Sequence, residues 1–173
     1  MAIFNQQAIN IQCNQLLPEG MHLSAVSSPL PLSQRGLSLP VEISTASVYR
    51  APPQNYPLCS RVVTALFDTG ANLTSIDLEL AKALKLLVIG QANLRTAAGP
   101  QTMPSFAVDI SFPSTKLLPF YNLRINSCNL GFDLNDSGNL PNPQNTGILI
   151  GRDIMARWNI IWNGPTSLVI ISD

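Results

Sequence analysis

One carboxylate in this chain is better placed than the others to do chemistry. Asp68 follows the apolar run Ala65-Leu66-Phe67 and precedes the turn Thr69-Gly70. Glycine permits a sharp turn, and an acid carried to the end of an apolar strand lies where an unpaired charge is costly. A carboxylate so placed is usually functional or well hydrogen-bonded, so Asp68 is either a catalytic acid or a turn acid of an ordinary β protein.

A second motif separates these alternatives. Ile148-Leu149-Ile150-Gly151-Arg152-Asp153 follows about eighty residues after Asp68. Asp-Thr-Gly alone arises by chance too often to carry an assignment. The two motifs together resemble the retropepsin-like aspartic proteases, the single-lobed kind found in retroviruses, over roughly residues 40–172. The resemblance implies a mainly β fold: a closed β-barrel with one or two short helices and a flap hairpin.

The chemistry of that family needs two carboxylates that share one proton and hold a water between them. One carboxylate takes a proton from the attacking water, and the other donates to the carbonyl oxygen. This chain has one Asp-Thr-Gly, and its other acids lack the turn that would aim them at a partner. The second Asp68 must therefore come from a second copy, which predicts a homodimer with a two-fold axis between the two side chains.

The resemblance assigns roles to the residues of the first motif. Asp68 is expected to be the catalytic acid, and Thr69 to hydrogen-bond across the dimer. Gly70 leaves room for the substrate backbone, while Ala71 and Asn72 line the substrate-binding cleft beside it.

Three further positions take roles from the same resemblance. Gly99 is expected at the tip of the flap, the hairpin that closes over a bound peptide. Gly151 would pack behind the active loop, and Arg152 would brace it through hydrogen bonds. The family carries an acidic residue where this chain has Asn72, which can accept a hydrogen bond from Arg152 but cannot form the charged pair. Asp153 is expected to cap the helix that follows.

Composition is consistent with a single β-rich domain. The chain has 173 residues, of which 46% are hydrophobic and only 12% charged. Its 14 prolines and 10 glycines divide it into short pieces, which favours strands over helical bundles. We expect a lead segment at 1–36, which could be loose or contribute a strand at 9–12, and the protease domain at 37–173.

The same composition argues against several partners and cofactors. Net charge is zero, so no nucleic-acid footprint is visible, and no apolar run is long enough for a membrane span. Three widely spaced cysteines and the lack of a convincing signal peptide predict reduced thiols in the cytoplasm. No cofactor or transition metal is expected, and residues 133–144 copy only half of a calcium loop, so a plain turn is the default there.

Periodicity and turn residues predict the order of the elements. Strands are expected at 41–44, 61–67, 121–125 and 147–150, helices at 78–86 (capped by Ser75 or Asp77) and 153–158, hairpins at 92–110 and 159–171, and a long loop at 126–146.

Two functions are consistent with these residues. The first is an aspartic endopeptidase that hydrolyses peptide bonds as a homodimer. The second is a catalytically weak retropepsin-like module for dimerisation or peptide binding, because a fold does not guarantee an activity.

Overall fold

A computed structural model describes residues 23–27, 36–96, 99–113, 115–136, 144–163 and 168–173. The strands in these ranges are β1 (Leu23–Ser27), β2 (Ser38–Thr45), β3 (Ser60–Phe67), β4 (Ser75–Asp77), β5 (Val88–Thr96), β6 (Gly99–Ser111), β7 (Phe120–Cys128), β8 (Thr146–Ile150), β9 (Asn159–Asn163) and β10 (Leu168–Ser172). Three short helices accompany them: α1 (Ser47–Arg50), α2 (Leu78–Ala83) and α3 (Arg152–Met155).

Six of the strands close into a barrel. Their order is β2-β3-β8-β4-β7-β6, and β6 then pairs with β2 to complete the ring. Two contacts are parallel, β3 with β8 and β4 with β7, and the β8–β4 contact between them is antiparallel. This confirms the predicted mainly β fold with a closed barrel.

The barrel core is filled by alternating apolar residues. Along β2 every second residue is buried, because Leu39, Val41 and Ile43 point inward between half-buried neighbours. Strand β8 contributes Ile148 and Ile150, both fully buried. Period-two alternation of this kind places one face of a strand against the core.

The β5–β6 hairpin extends beyond the barrel. β6 pairs with β5 from Gly99 to Phe106, whereas its pairing with β7 begins only at Ser105. The outer part of the hairpin therefore has no further strand beside it among the described residues. The predicted tip at 98–100 is described only from Gly99 onward, where φ is +105°.

A second sheet is formed by chain segments far apart in sequence. β10 lies between β9 and β1, and both pairings are antiparallel. Within the predicted lead segment, Leu23–Ser27 supplies β1, while the suggested strand at 9–12 lies outside the described residues. Val169 and Ile171 of β10 are fully buried and belong to the core of the molecule.

Several local predictions were wrong at the level of single elements. Helix α1 forms at Ser47–Arg50, where the sequence predicted no helix, and the helix predicted to reach residue 86 ends at Ala83. Of the two predicted caps of α2, Asp77 is confirmed, since it accepts from Glu79 N and Leu80 N, whereas Ser75 lies in β4. Strand β7 continues to Cys128, so the long loop begins after it.

The described residues contain neither a metal-binding cluster nor a membrane-spanning helix. No group of three or more His, Cys, Asp or Glu side chains there is arranged to hold a metal, although 137–143 of the half calcium loop lies outside these ranges. No described helix has the length and hydropathy of a membrane span.

Candidate active site

Asp68 is held at the mouth of the barrel by its own backbone. β3 ends at Phe67, whose ring stacks on Trp158 with centroids 6.0 Å apart. Asp68 N then donates to Ile150 O at 3.0 Å, so the carboxylate is fixed to the end of the neighbouring strand β8. The side chain is half-buried.

Among the described residues, the turn after Asp68 supplies the one hydrogen bond that this carboxylate accepts. Gly70 N donates to Asp68 Oδ1 at 2.8 Å, and Ala71 N donates to Asp68 O at 3.1 Å. A Cβ on Gly70 would lie 3.0 Å from Oδ1. A side chain there would therefore crowd the carboxylate, which would have to shift by a few tenths of an ångström.

Gly151 allows the second motif to pack directly against the loop that follows Asp68. A Cβ on Gly151 would lie 2.5 Å from Leu73 C and 2.8 Å from Thr74 N. These are backbone atoms, which cannot rotate away. The φ of Gly151 is −88°, so the requirement is close approach and not an unusual backbone conformation.

The two loops are also joined through their backbones and one exposed side-chain pair. Arg152 N donates to Ala71 O at 3.0 Å, and Asp153 N donates to Asn72 O at 3.3 Å. The Arg152 guanidinium donates to Asn72 Oδ1, so the amide accepts the hydrogen bond that an acidic residue would otherwise receive. Both side chains are exposed, and the contact lacks the charge of an ion pair.

The strongest link between the loops is one that the sequence did not indicate. Thr74 N lies 3.0 Å from both carboxylate oxygens of Asp153, and Thr74 Oγ1 donates to Asp153 Oδ1 at 2.8 Å. Thr74 Oγ1 in turn accepts from Gly151 N at 3.1 Å. The prediction that Asp153 caps the helix was wrong, because Gly151 occupies the N-cap of α3 and Asp153 follows Arg152 inside it.

The other predicted site residues lie where solvent can reach them. Thr69 and Gly70 are exposed, and Ala71 is half-buried beside them. Gly99 lies on the β5–β6 hairpin, and a Cβ there would meet no described atom within 4 Å. The structure thus groups the Asp68 and Gly151 motifs into one unit, with Gly99 on a separate projecting element.

No second acid of the described chain joins Asp68. Asp77 accepts four backbone N–H groups, Asp109 is paired with Arg50 at 2.9 Å, and Asp153 is engaged by Thr74. Each of these three acids has its own hydrogen-bond partners, none of which is Asp68.

The chain is similar to a solved structure and to a family model. A search of the solved structures finds, among others, a retropepsin-like aspartic protease from Rickettsia conorii, 14% identical, with a TM-score of 0.45 over 91% of this chain and 96% of that one. A search of curated proteins found no significant match.

The family comparison covers the site itself. The family model described as aspartyl protease matches residues 58–153, from before β3 to the Asp153 that binds Thr74. This range is more than half of the 173 residues and contains both motifs. The chain therefore belongs to the aspartyl protease family, as the two motifs predicted.

Proposed function

We propose that the protein is an aspartic endopeptidase that acts as a homodimer, with one Asp68 from each subunit. The observation that carries the proposal is the state of Asp68: a strand-end carboxylate, half-buried, fixed by Ile150 O and Gly70 N. It has no acidic partner among the described residues of its own chain. A two-fold axis beside Asp68 would bring the same atom of a second copy to it.

The mechanism follows from two carboxylates that share one proton. The ionised member takes a proton from the bound water, whose oxygen attacks the peptide carbonyl carbon. The protonated member donates to the carbonyl oxygen, so charge does not accumulate on the tetrahedral intermediate. Breakdown of that intermediate breaks the C–N bond, and a proton passes to the leaving amine. Like charges at such a separation cannot both ionise, which keeps one proton on the pair.

The Asp68 loop is suited to this task because it is braced from behind. The Asp153–Thr74 and Gly151–Thr74 hydrogen bonds hold the loop without using Asp68 itself. Catalytic groups must keep their position to within a fraction of an ångström while the substrate binds. A carboxylate that was also a structural anchor could not change its protonation state without loosening the loop.

The C-terminal sheet is our proposed subunit contact. Ile161 and Trp162 of β9 are 61% and 48% exposed, and β9 is an edge strand of its sheet among the described elements. An exposed apolar edge strand is a template for pairing with another chain. Pairing two such edges would remove this apolar surface from water and bring the two copies together.

The test uses subunits that cannot supply a carboxylate. Wild-type chain and Asp68→Asn chain are mixed in varied ratio, unfolded and refolded together, and assayed on an unfolded peptide in mildly acid buffer. If both subunits must contribute, activity follows the square of the wild-type fraction, and an equal mixture retains about a quarter of the wild-type rate.

The dependence of activity on the wild-type fraction distinguishes a shared dyad from independent subunits. A linear fall would show that each subunit acts alone, which contradicts the shared dyad. A statine-type inhibitor should block the activity, which excludes a contaminating protease of another class. If the chain dimerises and binds peptide without cleaving it, the protein is the binding module and not the endopeptidase.

A further inference from the structure

We infer that Ser105, Asn126 and Arg124 form a polar hinge that sets the position of the β5–β6 hairpin relative to the Asp68 loop. The inference rests on the proposed function in one respect, namely that this hairpin covers the bound peptide. The hinge itself is defined by contacts at the place where the hairpin leaves the barrel.

Ser105 marks that place in the pairing pattern. It is opposite Gly90 of β5 and also opposite Asn126 of β7, whereas the preceding residues of β6 pair with β5 alone. The register of β5 shifts between Val88 and Gly90, directly beside this point. A bulge on one strand and the end of pairing on the other side give the hairpin a defined bending point.

Two of the three hinge residues, Ser105 and Asn126, are buried polar groups. Ser105 and Ser127 are fully buried, and Asn126 is nearly so. Ser105 Oγ donates to Asn126 Oδ1 at 2.9 Å, and Ser127 Oγ donates to Pro104 O at 3.0 Å. Buried polar groups cost stability unless they are paired, so such pairs fix a single arrangement of the strands that carry them.

Arg124 ties the other strand of the hairpin to the same group. Its guanidinium Nη2 donates to Gln91 O at 3.3 Å and to Ser105 Oγ at 3.4 Å. A Cβ on Gly90 would lie 3.2 Å from that nitrogen, so glycine keeps the backbone of β5 close to the guanidinium. Residues of β7 thus hold both strands of the hairpin at the point where the hairpin leaves the barrel.

The same residues reach the catalytic loop. Asn126 N donates to Thr74 O at 3.4 Å, and Thr74 is the residue that Asp153 and Gly151 hold. The hydrogen-bonded path therefore runs from Gln91 in the hairpin through Arg124, Ser105 and Asn126 to the loop that carries Asp68. A hairpin fixed in this way closes at a set height above the carboxylate, which makes these three residues positioning residues.

The first test needs no peptidase activity. In the Asp68→Asn background, which removes self-cleavage, Ser105→Ala deletes the hydroxyl and keeps Cβ. Trypsin cutting after the exposed Arg95 of the hairpin, followed by mass spectrometry of the native protein, should become three- to ten-fold faster, roughly the range for one lost hydrogen bond.

The control is the same change on the same strand. Ser111 lies at the far end of β6, where its hydroxyl donates to Glu42 Oε2 at 3.2 Å. Ser111→Ala should leave cutting after Arg95 unchanged. Arg124→Met is a second hinge variant at an exposed position, so it tests the hinge without opening the core, and it should also accelerate cutting.

The second test separates the hinge from the proposed function. In the otherwise wild-type protein, Ser105→Ala should raise KM for a peptide several-fold and change kcat by less than about twofold, because closure of the hairpin contributes to binding. If cutting after Arg95 is unchanged in both hinge variants, the hinge is wrong whatever the enzyme does. If cutting accelerates while no peptide is ever hydrolysed, the hinge stands and the proposed function fails.

Discussion

Asp68 and Asp77 have similar sequence contexts but differ in burial and in the number of hydrogen bonds they accept. Asp68 directly follows β3, and Asp77 is the last residue of β4, so each lies where a strand ends. Asp77 is 2% exposed and accepts four backbone N–H groups, two from α2 and two from the segment after β7. Asp68 is half-buried and accepts one, from Gly70.

Under the proposed function, this difference separates a structural carboxylate, Asp77, from a reactive one, Asp68. A carboxylate whose lone pairs are filled by fixed backbone donors stabilises the fold and has little capacity for a substrate. A carboxylate held by a single donor keeps that capacity, provided that other groups fix its backbone. Asp153 fixes that backbone through Thr74, so it is intermediate: its contacts are structural, yet they hold the loop that follows Asp68.

The largest expected effect is on catalysis, from Asp68→Asn. Peptide hydrolysis should fall at least about a thousand-fold, since an amide can neither take a proton from water nor share one. The free energy of unfolding should change by less than about 0.5 kcal/mol, because the amide oxygen still accepts from Gly70 N. Peptide cleavage and urea denaturation at one protein concentration check both statements. Retained turnover in a clean preparation would remove Asp68 from the mechanism.

The same substitution at Asp77 should produce the opposite result. Asp77→Asn turns one acceptor oxygen into an NH₂ group that faces backbone donors, in a buried place. We expect a loss of about 2–3 kcal/mol in the free energy of unfolding. The measurement is urea denaturation in the Asp68→Asn background, with the Asp68→Asn protein as reference. A change as small as that of the reference would mean that the four hydrogen bonds contribute little.

The contrast between these two acids also marks how far the sequence could predict the structure. The resemblance carried by the two motifs implied the barrel, and the local apolar pattern predicted the strand before Asp68. The cap of α2 was predicted to be Ser75 or Asp77, and the structure has Asp77. The segment after β7 that binds Asp77 could not be foreseen, since Leu130 and Phe132 reach it through backbone atoms alone.

The link between Asp153 and Thr74 escaped prediction for a related reason. It joins residues 79 positions apart, and no periodicity encodes such a contact. The sequence nevertheless contained a signal. Thr74 follows the first motif and Asp153 ends the second, and both are polar residues that can hydrogen-bond to each other. Because a role as helix cap already explained an acid at position 153, the long-range contact with Thr74 was not predicted.

Asp153→Asn is expected to have an intermediate effect on both properties. Thr74 N approaches both carboxylate oxygens, so an amide NH₂ placed there would oppose one N–H donor. The free energy of unfolding should fall by about 1–2 kcal/mol, and kcat/KM by roughly ten-fold, because the loop behind Asp68 loosens. Asp133→Asn, at an exposed turn carboxylate that accepts from Asn135 N, is the matched control and should change neither quantity. Full activity at unchanged stability would show that the brace is dispensable.

The last expected effect concerns Cys128, at the end of β7, and it changes stability only at alkaline pH. Burial raises the pKa of its thiol from 9.0 to about 11, the negative charge of Asp77 adds to the rise, and a hydrogen bond with Ser75 opposes it. The folded protein therefore keeps this proton at a pH where the unfolded chain has lost it. Between about pH 9 and pH 11 the unfolded state binds fewer protons, so the free energy of unfolding should fall as pH rises, and the contribution is complete below pH 9.

Alkylation measures the same rise in the pKa of the Cys128 thiol and tests the contribution of Asp77 to it. The thiolate is the reactive form, so at pH 8 iodoacetamide should label Cys128 about a hundredfold more slowly than a thiol of ordinary pKa, as two pKa units imply. Mass spectrometry of the native protein gives the rate, with the urea-unfolded chain as control. Asp77→Asn should accelerate labelling because it removes the adjacent charge, whereas Asp68→Asn should not alter it. Equal labelling in the Asp77→Asn and Asp68→Asn proteins would show that the charge of Asp77 does not act on this thiol, and that burial alone protects it.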